Sequence, residues 1–506
     1  MADTTREIER KFESRDSGLP DLTNVGGIAA VVDQGVMELD AVYYDTPDLR
    51  LAASSVTLRR RTGGSTPGWH LKLPVGPDTR DEIAAPLADR PPAELLRLIR
   101  SRTLGAEVVP VVRLRSARDV RELRDADGGL LAEASADAVH AERLAGGRGE
   151  AQWTEIEVEL AEGADPGLLD LVEKRFRRAG VRRSDAPSKL ARALVETSPD
   201  DDAADAVPGP HRGKPVTAGD HLLAYLREQR ERLVALDPAV RRDLPEAVHD
   251  MRVATRRLRS ALRAYRPLLD REAVAPLADE LRWLTRELGV DRDREVLDER
   301  LTAAVEALPA ELRTGPVRDR LELWADTRRG ETRPRTAAVL DSRRYLDLLH
   351  ALDAFLAGPP LRKTARRKPA KPFAKALDKE FGRLSRLVER AVALEPGPER
   401  DSALHEARKK AKRTRYAAEA ARPVLGKAAR RLAADAKSLQ RPLGDHQDSV
   451  MAREALRSLA RDAAKALEPT FSWGVLYGRE EKEAALAEAA LPDRWAEVAR
   501  RRRTKG

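Results

Sequence analysis

The sequence predicts two domains of different class: an α+β domain built on a barrel of short strands, then an all-α domain. Three observations predict this. Residues 1–195 contain short alternating runs, REIERKF, VTLRRRT, WHLKL, VVRLR and TEIEVEL, separated by clusters such as GGSTPG and DADGG. The tract SPDDDAADAVPGPHRGKP at 198–215 is acidic, then rich in Pro and Gly, and lacks periodicity. From about residue 216 the pattern is helical and rich in Ala, Leu, Arg and Glu. The expected division is therefore a first domain at 1–197, a linker at 198–215 and a helical domain at 216–500.

Each strand of the first domain carries its charge on one face. Side chains alternate along a strand, so Glu7, Glu9 and Lys11 point one way and Ile8 the other. Arg59 and Arg61 share a face, as do His70 and Lys72, Arg80 and Glu82, and Arg113 and Arg115. Glu155, Glu157 and Glu159 lie opposite Ile156 and Val158. A sheet with one solvated face explains any single strand of this kind. Six of them, with both signs on one face and apolar residues on the other, indicate a closed barrel with a charged lumen. The apolar faces are expected to pack outward under helices, of which 93–104 and 168–180 are candidates.

The residue types suggest a chemistry. Several Lys and Arg side chains offset the charge of a triphosphate. Carboxylates among them would repel it unless they hold Mg²⁺ or Mn²⁺, hard ions bound by oxygen. Such an ion can bridge phosphate oxygens and activate water.

The helical part contains a repeat. HDMRVATRRLR from His249 and HEARKKAKRTR from His405 match at an offset of 156 residues, and LTRELGVDRD from Leu284 and LQRPLGDHQD from Leu439 at 155. Two motifs in the same order at nearly one offset point to duplication. His249, Arg252, Arg256 and Arg259 sit at i, i+3, i+7 and i+10, one helical face. His405, Arg408, Lys412 and Arg415 repeat that spacing. A lone basic face is usually solvated surface. A duplicated one, with few acidic residues at i±4, suits a phosphate polymer bound by charge and counterion release. Asp293 and Asp448 read as helix caps or salt-bridge partners, and 361–372 (LRKTARRKPAKP) as a mobile basic loop.

Bulk properties agree. Residues 1–200 carry 29 Lys+Arg against 35 Asp+Glu, a charge of −6, whereas residues 201–506 carry 64 against 49, a charge of +15. A basic C-terminal part expects a polyanion. Aromatic residues are only 4% of the chain, too few for the stacking platforms of single-strand nucleic-acid binders, so nucleic acid is disfavoured. There is no Cys, which excludes disulfides and thiolate metal sites. No apolar run reaches membrane-spanning length and the N-terminus is charged, so the expected location is the cytoplasm, without membrane insertion.

These residues meet two families. The chain from 7 to about 195 resembles the CYTH superfamily, the triphosphate tunnel metalloenzymes. The resemblance rests on Glu7-x-Glu9-x-Lys11, YYDT (43–46), LRRR (58–61), LKLP (71–74), RDEI (80–83), the Arg113/Arg115 strand, Asp137, EIEVE (155–159) and SKLARAL (188–194). It implies an eight-stranded antiparallel tunnel and an activity among the inorganic, thiamine and RNA triphosphatases or the class IV adenylyl cyclases. It implies metal ligation by Glu7, Glu9, Glu155 and Glu157, triphosphate binding by Lys11, Arg59, Arg61, Lys72, Arg113, Arg115 and Lys189, and a catalytic role for Asp137 in placing metal or water. Residues 216–500 resemble the CHAD domain, through the two His-led basic motifs and their LG-x3-D segments. That resemblance implies two four-helix bundles related by a pseudo-twofold and the binding of inorganic polyphosphate, with association with polyphosphate granules. The expected function is metal-dependent triphosphate hydrolysis joined to polyphosphate binding. The alternatives are a non-catalytic polyphosphate-binding protein and, ranked lower, an adenylyl cyclase.

Overall fold

The computed structural model describes residues 3–13, 18–147, 149–198, 213–329 and 332–503. Backbone packing divides the chain into two compact units, Met1–Gly213 and Lys214–Gly506. Most of the expected linker, residues 199–212, lies outside the described residues.

The first unit is a closed barrel of eight strands: β1 (Asp3–Glu13), β2 (Ala30–Asp45), β3 (Thr57–Gly63), β4 (Gly68–Gly76), β5 (Thr79–Ala85), β6 (Val109–Arg124), β7 (Leu130–Arg143) and β8 (Glu150–Leu160). The order is β5-β4-β3-β2-β6-β7-β8-β1, and β1 also pairs with β5. Every pairing is antiparallel. Closure leaves the ring without a free edge. It is made by β1 changing neighbour: Asp3–Ile8 pair with β5, and Glu9–Glu13 with β8. A two-residue β9 (Arg182–Arg183) adds to the end of β1.

Directly opposed residues of an antiparallel pair share a face, so the register fixes what points inward. Around the ring Glu7 opposes Arg80, Glu82 opposes Lys72, and Arg59 opposes Tyr43. Arg118 opposes Asp137, Asp137 opposes Glu155, and Glu157 opposes Lys11. All of these face the interior. Among the described residues four helices accompany the barrel: α1 (Arg50–Ala53), α2 (Ala93–Thr103), α3 (Gly167–Arg178) and α4 (Lys189–Glu196). Outward-facing Leu58, Trp69, Leu71 and Ile83 pack under Leu95 and Ile99 of α2. Phe12, Ile156 and Val158 pack under Leu169, Val172 and Phe176 of α3.

Helix α4 departs from the expectation that apolar residues pack only outward. Its Leu190, Ala193 and Leu194 join Ala41, Val112, Leu114, Val139 and Ala141, which have inward register. One end of the barrel interior is thus apolar and packed against a helix. Eight residues are too few for an isolated helix. Full burial of Leu190 and Leu194, about 2 kcal/mol each, and a cap from Ser188 Oγ to the Ala191 N–H at 3.1 Å hold it in place.

The YYDT segment has a structural role. Asp45 is fully buried at the end of β2, and its carboxylate accepts the backbone N–H groups of Thr46 (2.7 Å), Leu51 (2.9 Å) and Ala52 (2.8 Å). It organises the turn through α1 that leads into β3.

The second unit is helical: α5 (Ala218–Arg241), α6 (Ala247–Ala264), α7 (Arg271–Glu287), α8 (Gly289–Glu306), α9 (Val317–Arg329), α10 (Thr332–Asp341), α11 (Arg343–Ala357), α12 (Ala370–Ala393), α13 (Pro398–Ala420), α14 (Arg422–Lys465) and α15 (Phe471–Arg503). α5 begins with a capping box between Thr217 and Asp220. Helices α12 to α15 share one core, including Leu384, Leu404, Leu439 and Leu491. α5, α6, α7 and α11 contact one another in the corresponding cyclic order. A further core, including Leu301, Leu321, Leu459 and Trp473, ties α8 and α9 to α14 and α15. The repeated basic helices α6 and α13 pack together, with Tyr265 Oη donating to Ala417 O at 2.7 Å.

The tract 361–372, expected to be a mobile loop, is a packed connection. It holds a 3₁₀ turn at Lys363–Arg366 with Ala365 buried, and Thr364 Oγ1 donates to Pro267 O at 2.5 Å. Sequence composition showed its charge but not these backbone partners.

Asp45→Ala leaves three buried N–H groups without acceptors. It is expected to lower the stability of the barrel by about 3 kcal/mol, read as a lower midpoint for the β-rich transition in urea.

Candidate functional site

The inward faces of the strands meet at a polar cavity of about 250 Å³. Seven cations line it, Lys11, Arg59, Arg61, Lys72, Arg80, Arg118 and Lys189, with six carboxylates, Glu7, Glu9, Glu82, Glu133, Glu157 and Glu159. Among the described residues, Tyr43 is the one aromatic residue in this lining. Strand alternation explains the concentration, since each strand gives every second residue to the interior.

The charges are sorted into pairs. Lys72 Nζ is 2.5 Å from Glu7 Oε2. Lys11 lies 3.2 Å from Glu9 and also pairs with Glu157. Arg118 donates to both oxygens of Asp137, at 2.8 and 2.7 Å, and to Glu157 at 2.8 Å. Lys189, the first residue of α4, places Nζ 2.9 Å from Asp137, 2.6 Å from Glu155 and 2.6 Å from Glu157. His70 Nδ1 meets Glu82 at 2.8 Å and its Nε2 meets the Thr66 carbonyl at 3.0 Å, tying the β3–β4 turn to β5. Arg61 donates to the same carbonyl at 3.0 Å.

Burial and pairing split the carboxyls. Burial, with a hydrogen bond shared with Glu82, pushes Glu7 up to about 8 despite Lys72. Burial would also raise Glu9, but Lys11 and Lys72 outweigh it and hold Glu9 at about 2. For Asp137 burial is outweighed by Lys189 and Arg118, and for Glu157 by Lys11, Lys189 and Arg118, so both stay below the ordinary carboxylate range. Arg61 is lowered to about 10 by burial and by neighbouring Arg59.

Asp137, Glu155 and Glu157 each present an oxygen within 4.8 Å of the others, a spacing that suits a single cation. Glu9 Oε1 and Glu155 Oε1 are buried, and each faces an ammonium, Lys11 at 3.2 Å and Lys189 at 2.6 Å. An all-oxygen donor set of this spacing, now held by cations of the chain, fits a hard divalent ion. Of the four expected metal ligands, Glu155 and Glu157 lie in this cluster. Glu9 reaches it through Lys11, and Glu7 sits on the Lys72–Glu82 side.

Arg113 and Arg115 are not brought to the cavity. On β6 they have the opposite register to Arg118 and face outward. Arg113 pairs with Asp40 at 2.5 Å, and Arg115 is exposed. Arg118 is the β6 cation of the interior, which the sequence reading missed. Charge on both faces of β6 makes its alternation ambiguous, and the cross-strand partner Asp137 decides it.

The helical unit has its own cavity, about 260 Å³, lined by His249, Arg252 and Arg256 of α6, Arg408 and Lys412 of α13, and Arg300 of α8, with Asp448. Both repeats therefore contribute to one site. Arg408 pairs with Asp448 at 3.1 Å, and His405 is held at 2.5 Å by Gln447, away from this lining. Burial lowers the His405 pKa. The Asp293 side chain lies outside the described residues. Arg415 is also elsewhere, donating to Glu419 at 3.0 Å and Gln440 at 3.1 Å. Arg259 lies farther along the α6 face. Burial and the like charges of Arg263, Arg282 and Arg413 lower it to about 10. Arg300, donating to Glu480 at 2.7 Å, belongs to no repeated motif and was not legible in the sequence.

A closed antiparallel barrel with a charge-lined interior, followed by a helical unit with duplicated basic helices, defines a class of two-domain proteins. A family model for the CYTH domain matches residues 5–194, and one for the CHAD domain matches residues 224–457. An uncharacterized protein of Mycobacterium tuberculosis strain H37Rv is 40% identical over 498 residues, covering 95% of this chain and 93% of the relative. The chain belongs to the family that joins a CYTH domain to a CHAD domain. Among solved structures, PptA from Streptomyces chartreusis is 23% identical with a TM-score of 0.47, covering 55% of this chain and 99% of PptA. The CHAD domain from the plant Ricinus communis is 25% identical with a TM-score of 0.44, covering 57% of this chain and 96% of that one. Neither likeness, at such TM-scores, bears on function.

The placement of the β6 arginines is testable. Arg118→Met is expected to weaken tripolyphosphate binding to the barrel by about tenfold or more, the loss of a charge-assisted contact. Arg115→Met is expected to leave it within about twofold. Isothermal titration of each full-length variant reads the difference.

Proposed function

We propose that the barrel is a metal-dependent triphosphatase acting on inorganic triphosphate or a related triphosphate, and that the helical unit binds inorganic polyphosphate. The convergence of seven cations and six carboxylates on one small polar cavity carries this reading. A purely anion-binding site gains nothing from carboxylates at this density. Among the described residues the lining is polar, with Tyr43 its one aromatic side chain, which favours an inorganic chain over an adenylyl cyclase substrate.

Asp137, Glu155 and Glu157, with Glu9 and Glu7 on the neighbouring strand, would hold Mg²⁺ or Mn²⁺. The ion when bound offsets phosphate charge and lowers the pKa of a coordinated water. The chain's own part is electrostatic. Arg59, Arg61, Lys72, Lys11, Lys189 and Arg118 bind and orient the phosphate oxygens, and their charges stabilise negative charge that develops on the leaving phosphate. Five of them are carried on β-strands and Lys189 on α4, so their backbones stay fixed while the side chains exchange carboxylate partners for phosphate. Arg113 and Arg115 have no part in this arrangement.

In the helical unit, His249, Arg252, Arg256, Arg408 and Lys412 would take phosphates of the polymer, with Arg259 farther along the same face. His405 and Arg415 are engaged instead by Gln447 and by Glu419 and Gln440. No described helix is long and apolar enough to cross a membrane. We place the protein in the cytoplasm beside polyphosphate granules.

Phosphate release from tripolyphosphate, ATP, thiamine triphosphate and long-chain polyphosphate, with and without Mg²⁺ or Mn²⁺, tests the activity. Glu7→Gln with Glu9→Gln is expected to reduce release by about 100-fold or more with circular dichroism unchanged; wild-type turnover in that variant would remove the assignment. For the helices, Arg252→Glu with Arg256→Glu, and separately Arg408→Glu with Lys412→Glu, are each expected to weaken polyphosphate binding and flatten its salt dependence, because fewer counterions are released. Unchanged affinity and salt slope in both would mean that these faces are ordinary surface.

A further inference from the structure

The acid cluster of the barrel is already satisfied by a residue of the chain. Lys189 Nζ lies 2.9 Å from Asp137 Oδ2, 2.6 Å from Glu155 Oε1 and 2.6 Å from Glu157 Oε1. The same three carboxylates form the cluster whose oxygens all lie within 4.8 Å of one another. An ammonium and a divalent ion cannot both occupy that point. We infer that Lys189 is a built-in counter-ion that a divalent metal displaces, and that the displaced ammonium turns to the phosphate chain, so that metal and triphosphate promote each other's binding. The inference rests on the reading of the barrel as a metal-dependent triphosphatase and adds how its site is loaded.

Charge balance carries the argument. Asp137, Glu155 and Glu157 bring three negative charges, and Lys189, Lys11 and Arg118 pair with them. This set is neutral without any ion. A dication alone would leave two positive charges in excess in a buried site, an arrangement of high cost. A triphosphate alone would meet cations already committed to carboxylates. The two together restore balance, since the dication takes the carboxylates and the released cations take the phosphates. Each ligand therefore raises the affinity for the other, a coupling that is reciprocal by linkage.

The geometry permits the exchange. Lys189 is only 9% exposed, yet it lines the cavity along with its neighbour Ser188. Its backbone is fixed as the first residue of α4, whose apolar face is buried in the barrel. A flexible four-carbon stem on a fixed backbone lets the ammonium move between cluster and cavity without moving the helix.

The test uses the full-length protein. Mn²⁺ binding is followed by electron paramagnetic resonance of the free ion for the wild type, Lys189→Met and Glu155→Gln with Glu157→Gln, the last marking binding outside the cluster. Lys189→Met is expected to bind Mn²⁺ about tenfold or more tighter than the wild type without phosphate, within the usual range of coupling between sites. Reductive methylation of the wild type, read by mass spectrometry of the Lys189 peptide, follows the ammonium and does not depend on the variant folding. Lys189 is expected to be protected in metal-free protein, to react faster with Mn²⁺, and to be protected again when a methylene-bridged triphosphate is added with Mn²⁺. Mn²⁺ binding with unchanged or weaker affinity in Lys189→Met, or with no change in Lys189 methylation, overturns the inference and leaves the proposed activity standing. No cluster-dependent Mn²⁺ binding to wild type or variant would remove both.

Discussion

Charges confined in a small space inside the barrel must be paired, and much of the first unit follows from that constraint. An ion taken out of water costs several kcal/mol unless a partner and hydrogen bonds replace the solvent. Four opposed pairs, Glu7 with Arg80, Lys72 with Glu82, Arg118 with Asp137, and Lys11 with Glu157, sit directly across from one another in the strand register. A shift of one residue in any strand would turn its charges into the apolar shell under α2 and α3 and its apolar residues into the interior. The charge pattern therefore specifies the register as well as the site. It also accounts for the split among carboxyls of one type, with Glu9 held near 2 and Glu7 pushed to about 8, only two residues apart on one strand.

The same constraint explains α4. The charged part of the interior is satisfied by its own pairs, but Asp137, Glu155 and Glu157 exceed what Lys11 and Arg118 supply. Lys189 completes the set from outside the sheet, on a helix anchored at the apolar end of the barrel. Anchor and ammonium are one element. The packing of Leu190 and Leu194 sets where the charge of Lys189 is delivered.

The helical unit gathers mainly charge of one sign at its cavity. Its duplicated helices α6 and α13 pack together and bring basic residues of both repeats to one cavity, with Arg300 added from α8. Farther along, Arg259, Arg263, Arg282 and Arg413 crowd closely enough to depress Arg259 to about 10, after burial has already lowered it. Like charges gathered on one face favour a polyanion. Duplication did not give equal roles to equivalent residues. His249 lines the cavity while His405 is bound to Gln447, and Arg259 remains among cations while Arg415 pairs with Glu419.

The sequence by itself determined the two classes of domain, the repeat, and most of the charged residues of the barrel interior. These are properties of local periodicity: alternation places Glu7, Glu9, Lys11, Arg59, Arg61 and Lys72 on one face wherever the strand goes, and a 3.6-residue turn aligns His249 with Arg252, Arg256 and Arg259. Tertiary structure decided what periodicity leaves open. β6 carries arginines on both faces, so only its pairing with β7 shows that Arg118 points in and Arg113 and Arg115 point out. The backbone partners of residues 361–372 and the contribution of Arg300 to the helical cavity depend on contacts between segments far apart in the chain. The meeting of Lys189 with Asp137, Glu155 and Glu157 is of the same kind. It required a helix after the last long strand to fold back into the barrel, because long-range packing, and not local pattern, sets where a side chain's charge is spent.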